Sequence, residues 1–235
     1  MKVIRQDSRA RRCVDRSASE ERAQDFLKRL QAAGLANAYI DNEGNVIARR
    51  PGTGSGPKLV FSAHLDTVFP AGTDLSIREK DGKLYAPGIG DDTRGLAEIL
   101  SMVRALNAGQ IQTVGDILFV GTVGEEGLGD LRGVKALFRD HKDIDGFVSI
   151  DGLRPERITY IAVGSHRYRV TFKGPGGHSF SAFGSPSAIH SMGRAIARMS
   201  DFKPPNDPKT TFTVGTVRGG TSVNSIASDA VLELD

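Results

Sequence analysis

Lys58-Leu59-Val60-Phe61-Ser62-Ala63-His64-Leu65-Asp66-Thr67-Val68 is a mostly apolar run of strand length that ends in an imidazole and a carboxylate. Comparable runs recur downstream with helical patterns between them. Gly95 to Leu106 reads as a helix, Asp116 to Thr122 as a buried strand, Leu131 to Asp140 as a second helix and Gly146 to Ile150 as a further strand. Short continuous apolar strands alternating with amphipathic helices imply an α/β sheet covered on both faces, with residues 59 to 152 as its core.

Upstream, Ser17 followed by Glu20 forms a capping box, and Ala23, Phe26, Leu27 and Leu30 then recur at helical spacing until Gly34. A strand pair, Ala38 to Ile40 and Asn45 to Ala48, is expected around the turn Asp41-Asn42-Glu43-Gly44. Beyond Pro155 the texture changes. Ile158 to Val163 and Tyr168 to Lys173 alternate like strands, Ser187 to Met199 reads as a helix, and Thr210 to Val217 and Ala230 to Leu234 as further strands. This predicts a second, smaller α+β domain.

Composition narrows the function classes. With 39% hydrophobic and 25% charged residues, the 235-residue chain can bury a core, which argues against wholesale disorder. The formal charge is only +3, and the first sixteen residues hold six Lys/Arg against two Asp, leaving 25 basic and 26 acidic residues elsewhere. No broad cationic face follows, so nucleic acid is not an expected partner. The single cysteine, Cys13, cannot form an intramolecular disulfide, which fits a cytoplasmic protein. Neither a signal-peptide core nor a stretch of about 18 apolar residues occurs, so no membrane association is expected.

Four predicted strand ends carry polar groups where open α/β sheets place their ligands. His64 and Asp66 lie on one side of an extended strand, so one can bind a metal while the other orients the imidazole, although His-x-Asp is also an ordinary polar strand end. Asp91 and Asp92 follow Gly88-Ile89-Gly90 at the start of a helix. They read either as N-cap residues or as a carboxylate bridging two cations. Position 93 is Thr93, so a dinucleotide-binding glycine pattern fails. Glu125 and Glu126 end the strand at Thr122 and read as an exposed acidic turn, or as a metal ligand beside a general base. Asp151 ends the last strand and alone would be a turn residue. Together, one imidazole and several carboxylates suit Zn²⁺, Co²⁺ or Mn²⁺ better than softer metals.

The motifs His64-Leu65-Asp66-Thr67-Val68, Pro87-Gly88-Ile89-Gly90-Asp91-Asp92, Gly124-Glu125-Glu126-Gly127, Gly176-Gly177-His178-Ser179 and Gly219-Gly220-Thr221-Ser222-Val223-Asn224 occur in this order. In them the chain resembles the dinuclear zinc peptidases and amidohydrolases, the group that contains glutamate carboxypeptidase, peptidase T, aminoacylase, acetylornithine deacetylase and succinyl-diaminopimelate desuccinylase. The resemblance covers roughly residues 17 to 235. It implies a mixed-sheet α/β catalytic domain over residues 1–155 and a smaller α+β lid and dimerisation domain over residues 156–235.

The resemblance also implies roles. His64 and Asp151 look like ligands of one zinc, Asp91 like the carboxylate bridging both, and Glu126 like a ligand of the second. Asp91 is preferred to Asp92 because it directly follows the second glycine of the motif. Glu125 looks like the general base and Asp66 like the partner of His64. His178 resembles a histidine that steadies the tetrahedral intermediate across a dimer, and Asn224 a contact to the substrate carboxylate end. The implied reaction is attack of a metal-activated water on the amide bond of a short peptide, or alternatively of an N-acyl amino acid, in a homodimer. The wording Thr67-Val68-Phe69-Pro70 and Gly124 to Leu131 looks more like the tripeptidase-like branch.

The sequence departs from the group in length. Members return to the first domain after the small one and there supply a last histidine ligand. Of the five histidines here, His141, His166 and His190 do not correspond to it. The helix ahead of Ser17 is replaced by the basic stretch Arg9 to Arg16. The chain therefore reads as a fragment, with the Glu126 site expected to be the weaker of the two, or as a catalytically impaired, self-associating domain.

Overall fold

The computed structural model describes residues 2–4, 16–70, 72–152, 154 and 156–235. The chain forms two compact units, Arg11–Arg157 and a second made of Ile158–Asp235 with Met1–Ala10. Cys13 and most of the basic stretch from Arg9 lie outside the described residues. The short strand β1 (Lys2–Ile4) belongs to the second unit.

In the first unit, helix α1 (Arg16–Ala32) is followed by strands β2 (Tyr39–Ile40), β3 (Val46–Arg50) and β4 (Leu59–His64). Next come the hairpin β5 (Arg78–Lys80) and β6 (Lys83–Tyr85), helix α2 (Arg94–Ala108), strand β7 (Ile117–Thr122), helix α3 (Arg132–Asp140) and strand β8 (Gly146–Ser149). Helix α1 starts one residue ahead of Ser17, so the expected cap residue sits inside the first turn. The β5–β6 hairpin was not anticipated, although Asp81-Gly82, both at positive φ, is a strong hairpin signal.

The main sheet has the order β2-β3-β7-β4-β8. Strands β7 and β8 both run parallel to β4, and β3 runs antiparallel to β7, which makes the sheet mixed. Side chains alternate between the two faces, as the two-residue period of a strand requires. Val46, Ala48, Ala63, Ile117 and Phe119 pack under Phe26 and Leu30 of α1 and Ile99 and Val103 of α2. Ile47, Val60, Leu118 and Val120 pack with Leu137 of α3 on the other face. Burial on both faces explains why these strands read as unbroken apolar runs.

The second unit adds β9 (Tyr168–Lys173), β10 (Gly177–His178), α4 (Ala188–Ser200), β11 (Val214–Gly219), β12 (Ser225–Ile226) and β13 (Asp229–Leu234). Its sheet is antiparallel with the order β1-β9-β13-β11, and α4 covers one face through Met192 packed on Phe172, Ala230 and Leu232. Ser187 caps α4, accepting a bond from the His190 N–H. The strand expected over Ile158 to Val163 does not form. Ile158 and Tyr160 are both 88% exposed, and no described strand pairs with the segment. Alternating apolar residues favour an extended chain, but a strand also needs a partner for its backbone.

Candidate metal centre

Because β7, β4 and β8 are adjacent and parallel, their C-terminal ends lie along one edge of the sheet. His64 is the last residue of β4, Glu125 and Glu126 follow β7, and Asp151 follows β8. Asp91 and Asp92 precede α2, whose first turn lies against Ile150, just beyond β8. A Cβ on Gly95 would stand 2.5 Å from the Ile150 carbonyl and 2.3 Å from Asp92 Oδ1, so this close approach requires glycine.

His64 is almost completely buried, and both of its nitrogens are engaged. Nδ1 lies 2.9 Å from the main-chain oxygen of Asp66, which can only accept, so Nδ1 carries a proton. Nε2 lies 2.8 Å from Asp91 Oδ1. Without a proton or a cation, that contact would set a lone pair against a carboxylate oxygen. Burial lowers the imidazole pKa, but Asp92, Asp66, Asp91 and Glu125 together outweigh it and raise the pKa above its ordinary value.

The two adjacent acids divide their tasks. The Asp92 carboxylate is buried and accepts from the His64 N–H at 2.9 Å and the Gly95 N–H at 3.1 Å. Burial pushes its pKa up to about 6, against the pull of those two donors and of His64. Asp91 keeps its side chain more than half exposed, with one oxygen on the imidazole. Asp92 thus ties the His64 main chain to the first turn of α2, while Asp91 meets the imidazole itself.

Asp66 is buried beneath this cluster. Strand β4 stops at His64, yet Asp66 still turns back to the imidazole: its main-chain oxygen meets Nδ1, and its carboxylate Oδ1 stands 3.8 Å from the same nitrogen. The carboxylate also accepts from the Glu125 N–H at 3.2 Å and the Glu126 N–H at 2.9 Å. Glu125 places Oε2 4.0 Å from His64 Nε2. Burial raises the Glu125 and Glu126 pKa values, and neighbouring carboxylates raise them further, while His64 opposes. Arg22 of α1 donates to Thr93 Oγ1 at 3.2 Å, and burial lowers its pKa against the attraction of Asp66, Asp92 and Asp91.

Among the described residues, two overlapping triads offer ligand atoms within 4.8 Å of one another: His64, Asp91 and Glu126, and His64, Asp92 and Asp151. All four expected ligands are therefore gathered, but Asp151 groups with His64 through Asp92 rather than Asp91. An imidazole with carboxylate oxygens, several of them inclined to hold protons, fits a hard or borderline divalent cation.

His178 and Asn224 belong to the second unit, where β10 pairs with β12. His178 Nδ1 accepts from the Phe180 N–H at 3.2 Å, and Nε2 lies 3.3 Å from Asn224 Nδ2, whose Oδ1 accepts from the Ser222 hydroxyl at 2.8 Å. Both side chains are exposed. The sequence reading left Asp92 open between helix cap and cation bridge, and it missed one contributor to the first unit, the buried Asn45. For Asn45 the signal was its place directly after the turn Asp41 to Gly44.

Residues 60–229 match the family model described as peptidase family M20/M25/M40. An acetylornithine deacetylase of Myxococcus xanthus is 32% identical over 229 residues, covering 84% of this chain and 56% of the relative. A succinyl-diaminopimelate desuccinylase of Bordetella avium is 27% identical, covering 89% and 60%. The chain spans about half the length of the curated relatives it matches. A tripeptidase structure from Staphylococcus aureus is similar in fold, with a TM-score of 0.64 at 24% identity, over 94% of this chain and 66% of that one.

Proposed function

From the premise that the chain belongs to peptidase family M20/M25/M40, a family with a dinuclear zinc site, we propose that it hydrolyses the amide bonds of short peptides. The carrying observation is the 2.8 Å approach of His64 Nε2 to Asp91 Oδ1, with Glu126 in the same triad and Glu125 beside it. His64, Asp91, Glu126 and Asp151 would hold the cations, with Zn²⁺ as the expected ion and Co²⁺ or Mn²⁺ as compatible ones. A bound cation pair supplies an acidified water and an electrophile for the amide carbonyl.

The remaining steps fall to side chains of this chain. Glu125, held near His64 with a raised pKa, takes the proton of the attacking water and hands it to the leaving nitrogen. Asp66 fixes both glutamates by their main-chain N–H groups. His178 would steady the tetrahedral intermediate and Asn224 would meet the substrate carboxylate end, in a cytoplasmic homodimer formed through the second unit. Among the described residues, no helix is long and apolar enough to cross a membrane.

The second reading, hydrolysis of N-acyl amino acids, is favoured by the relatives named as a deacetylase and a desuccinylase. Assays on di- and tripeptides and on N-acyl amino acids with added Zn²⁺ or Co²⁺ separate the two readings. Turnover that survives Glu125→Ala would remove the assigned base, and sedimentation of a monomer would remove the dimer.

A further inference from the structure

Asn45 is polar and completely buried, and its carboxamide makes three bonds. Oδ1 accepts from the Val123 N–H at 3.1 Å, and Nδ2 donates to the Gly133 carbonyl at 3.0 Å and to Asp41 Oδ2 at 2.8 Å. Val123 and Gly133 are the two ends of the segment that carries Glu125 and Glu126. They are also joined directly, by the Gly133 N–H donating to the Val123 carbonyl at 2.9 Å. A Cβ on Gly133 would stand 2.2 Å from Asn45 Oδ1, so the carboxamide lies flat against the segment's base.

The turn beneath Asn45 is itself braced. Asp41 Oδ1 accepts from the N–H groups of Glu43, Gly44 and Asn45 at 2.8 to 2.9 Å. Arg132 reaches back from the far end of the segment and donates to the Glu43 carbonyl at 3.0 Å and to Glu43 Oε1 at 2.8 Å. Its stem lies against Gly124, the residue before Glu125. An Asn that only terminated a turn would need no bonds to residues 78 and 88 positions away.

We infer that Asn45 is a positioning residue for Glu125 and Glu126. Its carboxamide closes the base of segment 123–133, while the Asp66 carboxylate holds the middle, so two buried side chains set where the glutamates stand against His64 and Asp91. Closing the base removes backbone freedom that the segment would otherwise keep. The inference rests on the proposed roles of Glu125 and Glu126 as base and ligand.

The test compares wild type with Asn45→Ala and Asn45→Asp. The latter keeps the shape and the acceptor for Val123 but sets a carboxylate against the Gly133 carbonyl and Asp41. Val103→Ala in the α2 core, chosen to lower stability comparably, is the control. Hydrogen exchange of the amides in 123–133 is expected to accelerate about tenfold in both Asn45 variants, with β4 unchanged. Zn²⁺ affinity, measured by chelator competition, is expected to fall about tenfold.

Exchange that stays at the wild-type rate, or that accelerates equally in Val103→Ala, overturns the inference, as does faster exchange with Zn²⁺ affinity intact. If Asn45→Ala does not fold, Asn45→Asp and the milder Asp41→Asn carry the same comparison. A wild-type chain that binds no Zn²⁺ defeats the proposed function instead, and the exchange measurement still decides the role of Asn45.

Discussion

His64 Nε2 and Asp91 Oδ1 stand 2.8 Å apart, while the other imidazole nitrogen is committed to a carbonyl that can only accept. In the proposed site, Asp91→Asn therefore removes a carboxylate charge from a side chain that is more than half exposed. Metal content of the purified variant should drop severely, while the unfolding free energy of the metal-free form should fall by about 1 kcal/mol or less, the range for a partly exposed ion pair. A variant that retains full metal content would move the bridging role to Asp92.

Asp92→Asn should behave in the opposite way. An amide can serve only one of the His64 and Gly95 N–H donors as acceptor and turns an NH₂ toward the other. Urea unfolding of the metal-free variant should show a loss of about 1–3 kcal/mol, the range for an unsatisfied buried polar group.

The pH dependence of the metal-free protein follows from the raised pKa values. His64 is raised above 6.5, so its contribution is complete below that value and is lost as pH climbs through the folded pKa. Asp92, moved from 3.8 to about 6 by burial, and Glu125 and Glu126, also raised, retain protons in the folded state that the unfolded chain has released. The folded form thus binds more protons, and stability falls as pH rises. The Tm of chelator-treated protein should increase on titration from pH 8 to pH 5. The gain in Tm from added Zn²⁺ should shrink over the same range, because protons compete for the ligands.

Gly95→Ala tests the close approach of α2 to the end of β8. The added methyl would meet Asp92 Oδ1 at 2.3 Å and the Ile150 carbonyl at 2.5 Å, and neither is the end of a long flexible side chain. The expected loss is about 1–3 kcal/mol, as for other overpacked sites, together with weaker metal binding. A stability and Zn²⁺ affinity equal to wild type would show that the acid-bearing turn can move freely.

Glu125→Gln keeps the size of the side chain and removes its proton-accepting capacity. Turnover should fall by about 10²- to 10⁴-fold, the usual contribution of a general base, while Zn²⁺ content stays unchanged.

Much of this arrangement was legible in the amino-acid order. Runs such as Val60-Phe61-Ser62-Ala63 and Ile117-Leu118-Phe119-Val120 declare buried strands because both their faces are apolar. The acids and the imidazole stand just beyond those runs, and the family follows from residues 60–229. The Ile158 to Val163 pattern misled because alternation records a preference for extension and carries no information about a partner strand. Tertiary structure alone decided which of Asp91 and Asp92 faces the imidazole, that Asp66 holds the glutamates by its carboxylate and His64 by its carbonyl, and that Asn45 reaches Val123 and Gly133. Apart from the local His64–Asp66 link, those outcomes depend on where groups 27 to 88 residues apart meet in space. A carboxylate or amide has the same letter whether it binds a cation, caps a helix or ties down a loop, and only its neighbours in the folded chain distinguish the three.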